Sequence, residues 1–503
     1  MSDAPAAPAT HTAPATPTAP ALPDGWVAVV KRDCPTCVTV APALVELAAE
    51  VPLTVLTQDD PSFPEGLPDG AGPVDDTTLH RSWLLDIETV PTLLHRSGGT
   101  EDVRLVGWDR AEWRAATGVA GLGGGLPEYR PGCGSLSVDP TRTDELKVRF
   151  EGGRLRSRRV AIAELEDEFE AGFDRGWTDG LPVVPPTEAR VLRMLEGTTR
   201  DPDEVVAVVP PDLVECTVEK VAVNAVMAGC RPEYLPVVLA AVEAACTDEF
   251  NMHGLLATTW FSGPMVVVDG PIAGRIGMNW DMNAMGQGNR ANATIGRALQ
   301  LVVRNVGGGR PGGVDRSTLG NPGKYTFCFA ERPRAELPGG PDWPAQATEM
   351  GIEPGTDTVT LFAAEGVRGF VDQLSREPES LARGLAAILR TVAHPKLALA
   401  FDAAVVLSPE HLRVFREGGW SKARLRERLA ELTLLPPGAT TRGGDGMAEG
   451  MPDGFDAVEL PKFRDGGLLL FTAGGGAGLF SAVIGGWASG SMGSAPVTRR
   501  IGT

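Results

Sequence analysis

The amino-acid sequence predicts an α/β protein in which a small domain precedes a large one. Three observations point there. The apolar run Trp26-Val27-Ala28-Val29-Val30 has the length and β-branched content of a buried strand, and it leads through a short turn into a helix-like run from Val38 to Glu50. From about residue 160 onward, helix-like and strand-like runs alternate, as they do in a sheet covered by helices. Between the two regions, Gly118 to Cys133 contains Gly-Leu-Gly-Gly-Gly-Leu-Pro and Arg-Pro-Gly, the composition of a linker.

Taken in order, residues 1–23 are mostly Ala, Pro and Thr with hardly any charge. They lack the basic start and continuous apolar run of a secretory signal and read as a disordered tail prone to polyproline II. A first domain is expected over residues 24–117, with its opening strand and helix followed by a second strand-like run through Val90-Pro91-Thr92 to Leu94. Residues 118–150 are expected to be a glycine-rich linker, and residues 151–503 one α/β domain or two packed lobes. Helix candidates there are Val160–Arg175, Val218–Met227, Leu235–Cys246, Ala291–Arg304, Ser380–Val392 and Lys422–Leu432. Strand candidates are Val205–Val209, Met265–Asp269, Thr358–Phe362, Ala403–Leu407 and Leu468–Phe471.

Composition narrows the function classes. A net charge of −19 over 503 residues argues against nucleic acid and anionic membrane as partners. Seven cysteines are too few for a disulfide scaffold in a chain of this length, and an odd count with one Cys-x-x-Cys suits a transient, catalytic disulfide in a reducing cytoplasm. Gly466 to Thr498 carries no charge, but glycine breaks it repeatedly, whereas a membrane-spanning helix needs about 20 mostly apolar residues in succession. Leu468-Leu469-Leu470-Phe471 reads instead as a buried strand entering a glycine-rich turn, so no membrane is expected as a partner. The turn at Gly474–Gly478 lacks the spacing and the downstream acid of a dinucleotide loop.

The motif with most chemical content is Cys34-Pro35-Thr36-Cys37. It falls where a strand hands over to a helix N-terminus, and there the helix dipole and free N–H groups favour a thiolate. Cys34 is accordingly expected to be the more exposed and more reactive thiol. The residues alone leave open a zinc-binding pair or two inert core thiols, although no second Cys-x-x-Cys or paired His completes a zinc site, so no metal is expected. Together with Val90-Pro91-Thr92, and with Pro42 five residues past the second cysteine, the motif resembles the thioredoxin family over roughly residues 24–117. Leu105-Val106-Gly107-Trp108 and the helical run Arg110–Ala116 are similar to the last strand and helix of that fold. The resemblance implies Cys34 as attacking thiol, Cys37 as resolving thiol and Pro91 as the cis-proline. Lys31-Arg32-Asp33 departs from the usual Trp-containing approach to the motif, and valines fill a strand where many thioredoxins bury an acid.

The larger part carries a second set of runs. They are Trp177 to Thr187, Glu219 to Tyr234, Asn289-Arg290-Ala291-Asn292 through Ala298, Gly320-Asn321-Pro322-Gly323-Lys324-Tyr325 through Glu331, Gly418 to Lys422, and the terminal Val497-Thr498-Arg499. In that order they resemble the UGSC-motif family over about residues 130–501. That family is named for a selenocysteine- or cysteine-Gly-Ser-Cys motif, which here stands as Cys133-Gly134-Ser135-Leu136, with leucine in place of the second cysteine. Cys133 lies between two glycines, where successive N–H groups can form a nest for a sulfur anion. Asn289, Arg290 and Asn292 open a helix, which with the guanidinium makes an anion site for substrate; capping and surface ion pairing are the bland alternative. Lys324 and Tyr325 follow Gly-Asn-Pro-Gly, and Lys324 could polarise a carbonyl or hold an anion. His253, in a loop, is the best histidine for acid–base work. Cys216, Cys230, Cys246 and Cys328 read as core thiols.

The function these readings predict is a thiol-dependent oxidoreductase. Cys133 meets a small electrophilic substrate, and Cys34 and Cys37 recycle it by thiol–disulfide exchange. About sixteen linker residues give a reach of about 20–24 Å, enough for Cys34 to visit Cys133. No cofactor is expected beyond an external dithiol, supplied by a cellular thiol reductant or a partner like thioredoxin reductase. Exchange with client proteins, or a ligand-binding scaffold gated by Cys34–Cys37, are the alternatives.

Overall fold

The computed structural model describes residues 21–68, 72–163, 166–440, 442–443, 455, 457–489 and 493–502, so most of the expected N-terminal tail lies outside the described residues. The chain divides into two compact units, Met1–Leu155 and Arg156–Thr503, and its architecture is α/β.

In the first unit, β1 (Gly25–Val30) buries its last four residues and leads into α1 (Pro35–Glu50). Pro35 starts the helix where its missing N–H costs nothing, and Val40, Ala43, Leu44 and Leu47, at helical spacing, form the buried face. There follow β2 (Leu53–Thr57), β3 (Val74–Asp75), α2 (His80–Leu84), β4 (Thr89–Val90), β5 (Thr92–Ser97), β6 (Thr100–Val106), β7 (Trp108–Asp109), α3 (Arg110–Thr117), β8 (Tyr129–Arg130), β9 (Cys133–Gly134) and α4 (Thr143–Glu151). The sheet runs β3-β2-β1-β5-β6, with β1 parallel to β2 and antiparallel to β5. Asp109 caps α3 by accepting from the N–H groups of Ala111 and Glu112, and Gly118, at φ 75°, ends it.

Residues 118–150 differ from the expected linker: they are packed. Leu122 is fully buried. Gly123, at φ 62°, lies so close to Trp108 that a Cβ there would come within 2.6 Å of the indole. Its N–H donates to Glu46 (2.7 Å), while the Trp108 Nε1 donates to Pro127 O (2.7 Å) and Arg114 Nε to Leu122 O (2.8 Å). Here glycine permits close approach rather than flexibility. Short antiparallel pairs join β7 to β8 and β4 to β9, and Phe150 of α4 stacks on His80 with centroids 4.3 Å apart. The first unit therefore continues to Leu155 rather than ending at residue 117.

The second unit contains β10 (Val205–Val209), β11 (Val214–Thr217), α5 (Val218–Ala228), α6 (Leu235–Ala245), β12 (Gly263–Asp269), α7 (Arg290–Asn305), β13 (Cys328–Ala330) and β14 (Thr358–Val371). After these come α8 (Pro378–Leu389), β15 (Phe401–Leu407), α9 (Pro409–Glu417), α10 (Lys422–Leu432), β16 (Leu468–Thr472), β17 (Phe480–Ala488) and β18 (Val497–Arg500). Its main sheet has the order β13-β12-β14-β17-β15-β16, with β18 also paired to β14. The period-2 alternation sorts residues onto two faces. Ala403, Val405 and Leu407 pack with Leu385, Phe415 and Leu425 of α8, α9 and α10, while Ala404 and Val406 pack with Val267, Phe329 and Phe471. Of the expected Val160–Arg175 helix, Glu168–Asp174 is the helical part among the described residues. Upstream, the N–H groups of Arg156 and Ser157 bond the Glu219 carboxylate instead, both at 2.8 Å. No helix among the described residues is long and apolar enough to cross a membrane.

Candidate active site

Cys34 is the N-cap residue of α1, with extended backbone at φ −142° and ψ 112°. Its sulfur accepts from the Cys37 N–H at 3.3 Å and lies 3.6 Å from the Val90 carbonyl oxygen, its acceptor when protonated. The Val90–Pro91 peptide is cis. Cys34 was expected to be the more exposed thiol, but both are buried, Cys34 at 1% and Cys37 at 0% exposed. Cys133 is partly exposed.

What covers Cys34 is the segment that carries Cys133. β9 pairs with β4 so that Val90 stands opposite Cys133 and Thr89 opposite Gly134. Pro131 O accepts from Thr36 Oγ1 (2.7 Å), and Ser135 N donates to Glu88 O (2.9 Å). Gly132 passes so near Thr89 that a Cβ there would come 2.2 Å from its methyl group. Behind the strand pair sits a buried hydroxyl–amide network. Gln58 Nε2 donates to Ser135 Oγ (2.7 Å) and Ser82 Oγ (2.9 Å), and its Oε1 accepts from Leu136 N (3.0 Å). Ser137 Oγ bonds Ser135 Oγ (2.6 Å) and donates to Ile87 O (2.6 Å), while Ser82 Oγ donates to Asp76 (2.6 Å). Ser135 of the Cys-Gly-Ser motif thus anchors the strand that holds Cys133. Sequence reasoning passed over Gln58, Ser82 and Ser137; the Ser-x-Ser spacing at 135–137 was the available signal.

The three sulfurs share their protons unequally. The Cys37 thiol, donating to the Cys34 sulfur, is the largest influence pulling the Cys34 pKa down to about 5. The Cys133 thiol and the N–H groups of Cys37 and Thr36 act in the same direction and outweigh burial. Cys37 is pushed strongly upward by burial and by the neighbouring Cys34 sulfur. Burial, then Cys34, also raises Cys133. At neutral pH the site holds one thiolate, on Cys34, with two thiols as its donors. The nest of N–H groups expected to make Cys133 the thiolate is replaced by strand pairing, which turns its backbone toward Val90.

The second-unit candidates do not gather into a site. Asn289 caps α7 by accepting from Asn292 N (3.0 Å), and its amide donates to Gly277 O (2.8 Å). Asn292, 2% exposed, uses its whole amide on Asn279 and Ala284. Arg290 is exposed and donates to Gly229 O (2.9 Å). Lys324 is paired with Asp315 (2.8 Å) and bonds Ser317 (2.6 Å), while Tyr325 beside it is exposed. Lys324 also sits across Gly263 from Gln300, eleven residues along α7 from Asn289, which is roughly 16 Å at 1.5 Å per residue. Asn289, Asn292 and Lys324 thus spend their polar groups within the unit, while Thr326, two residues past Lys324, donates to Ala293 O (2.8 Å). His253, expected in a loop, is an exposed residue in the first turn of the short helix Met252–Ala257. Burial raises the pKa of Cys216, Cys230 and Cys246 to about 12 and pushes Cys328 up as well. No group of three or more His, Cys, Asp or Glu able to hold a metal ion occurs among the described residues. Compared with known proteins, the chain matches no family model, no curated protein and no solved structure.

Proposed function

We propose that the first unit is a thioredoxin-like exchange unit in which Cys133 meets the substrate, Cys34 attacks the resulting adduct and Cys37 closes the disulfide. In this reading Cys133-Gly134-Ser135 is the counterpart of the UGSC motif, and the unit reduces a small electrophile containing an S–S or O–O bond. The observation that carries it is the pairing of Cys133 with Val90, which goes with a Cys133 thiol hydrogen-bonded to the Cys34 sulfur.

The chemistry balances as a two-electron reduction. The Cys133 thiol hands its proton to the Cys34 thiolate as its sulfur takes one half of the substrate's S–S or O–O bond, and the other half departs with that proton from Cys34, which is then a thiolate again. The Cys34 thiolate then attacks the Cys133 sulfur and forms a Cys34–Cys133 disulfide, expelling the first half as an anion. Cys37, on losing its proton, displaces Cys133 from Cys34, which restores the Cys133 thiol and leaves a Cys34–Cys37 disulfide. An external dithiol returns both electrons. Cys34, at 1% exposed, is closed to a folded client, and this favours small substrates over protein disulfides. Asn289, Arg290, Asn292, Lys324, Tyr325 and His253 have no part in the reaction.

The test is turnover of hydroxyethyl disulfide and of hydrogen peroxide, with dithiothreitol as reductant. Cys133→Ala should lose at least about a hundredfold in rate on one of them, as removal of a covalent nucleophile does. Full activity of Cys133→Ala on both would end the proposal.

A further inference from the structure

In the second unit, a cavity of about 350 Å³ opens where the ends of β12, β13 and β16 converge. Asp269, the last residue of β12, and Glu331, just past β13, both line it. Its walls include Trp280, Trp343, Pro271 and Pro344. Glu331 is 4% exposed and accepts one hydrogen bond, from Gln346 N at 3.1 Å. Neither Asp269 nor Glu331 has an ion-pair partner among the described residues. The nearest cations are spent elsewhere. Lys422, 0% exposed, pairs with Glu349 (2.9 Å) and donates to Pro344 O (2.9 Å), and Arg426 pairs with the same Glu349 (2.6 Å). Arg332 is held by Asp281 and Glu336, and Arg334 by Asp342.

Of the charged groups lining the cavity, Arg332 and Arg334 have ion-pair partners while Asp269 and Glu331 have none among the described residues, and the charge of Lys422 that acts on both acids is shared with Glu349. A buried carboxylate without a counter-charge is costly, and either a proton or a cationic ligand removes the cost. Burial pushes the carboxyls of Asp269 and Glu331 upward, Glu331 to about 7, and outweighs the charge of Lys422, which acts on both in the opposite direction. Trp343, 2% exposed, and Trp280 line the same cavity with aromatic surface. Indole faces also attract cations.

We propose that this cavity binds a small organic amine, its ammonium group against Asp269 and Glu331 and its apolar body between Trp280 and Trp343. The site is separate from the three-cysteine chemistry and does not depend on it.

Calorimetric titration of the full chain with phenethylamine, phenethyl alcohol and phenylacetate tests the proposal. Phenethylamine should bind saturably and at least about tenfold more tightly than the alcohol or the acid, the size of a charge-assisted contact. Glu331→Gln, matched in shape, should erase that preference while leaving the weak alcohol binding unchanged. If Glu331→Gln does not fold, Asp269→Asn reports the same loss. Saturable binding with no preference for the amine, an amine preference that survives both substitutions, or no heat from phenethylamine at tens of millimolar would each overturn the site.

Discussion

The seven cysteines fall into two regions that burial alone would class together. Cys34 and Cys37 in the first unit are as inaccessible as Cys216, Cys230 and Cys328 in the second. Yet Cys34 falls to about 5 while Cys216, Cys230 and Cys246 rise to about 12. The difference lies in what each sulfur faces. Cys34 has two thiol donors and the N–H groups of a helix start, whereas Cys230 is opposed by burial with only the Thr294 side chain and the Arg290 charge on the other side, and Cys328 with only a Gly296 backbone contact. Donors decide whether a buried sulfur carries charge.

The largest expected effect separates these regions outright. Cys37→Ser removes the thiol that displaces Cys133, so mild oxidation with hydroxyethyl disulfide should trap a Cys34–Cys133 cross-link as the main product. Peptide mapping should find it between the peptides containing residues 34 and 133, with the four second-unit cysteines still reduced. A Cys37→Ser protein that instead holds only small-molecule adducts on Cys133 would break the link between Cys34 and Cys133.

A smaller effect ranks the donors around Cys34. The thiolate ultraviolet absorbance of the reduced protein should disappear as pH falls through about 5. The sign is that of an acid with a depressed pKa: the ionised form is held above the midpoint and lost below it. Removing a donor destabilises the thiolate and moves the midpoint up. Cys37→Ala should shift it more than Cys133→Ala, because the Cys37 thiol is the larger influence. No shift in either variant would mean that the helix start alone sets the pKa, and equal shifts that the two thiols are equal donors.

Much of this region was legible in the sequence. Strand, Cys-x-x-Cys, helix and the Val-Pro-Thr run stand where their composition and spacing put them. The segment after Gly118 was not, because glycine has two meanings that composition cannot separate. Gly123 and Gly132 read as freedom, but each stands where a Cβ would collide, with Trp108 and with Thr89. Likewise Asn289, Asn292 and Lys324 have the residue types of an anion site, and only coordinates reveal that Asn292 spends its amide on Asn279 and Ala284 and Lys324 its charge on Asp315. In the second unit the expected strands recur, whereas β17 hides in the uncharged, glycine-broken stretch after Gly466, where period-2 alternation is blurred by burial on both faces.

Gly132→Ala tests the closeness of the strand pair that carries Cys133. The added methyl meets Thr89 at 2.2 Å, so β9 must retreat from β4. Overpacking of this kind costs about 1–3 kcal/mol. Cross-link formation in a Gly132→Ala, Cys37→Ser protein should slow by about tenfold or more, a 1.4 kcal/mol change. An unchanged rate would mean that the Cys133 sulfur reaches Cys34 without the strand pair.

The smallest expected effect belongs to the other region. Cys216, Cys230, Cys246 and Cys328 are held as thiols by burial, and Cys328 is 5% exposed within a strand whose neighbour Phe329 is fully buried. Replacing each by Ala removes one sulfur from a packed core, at a cost of about 1 kcal/mol or less where the site can collapse. Exchange kinetics at Cys34 and Cys133 should stay within error, and these four should resist iodoacetamide in the native protein and react only after unfolding. A native-state label on Cys230 or Cys328, or a fall in turnover of hydroxyethyl disulfide when either becomes Ala, would erase the contrast between the regions. A buried sulfur with few donors would then be reactive after all, and the account of why Cys34 alone is a thiolate would fail with it.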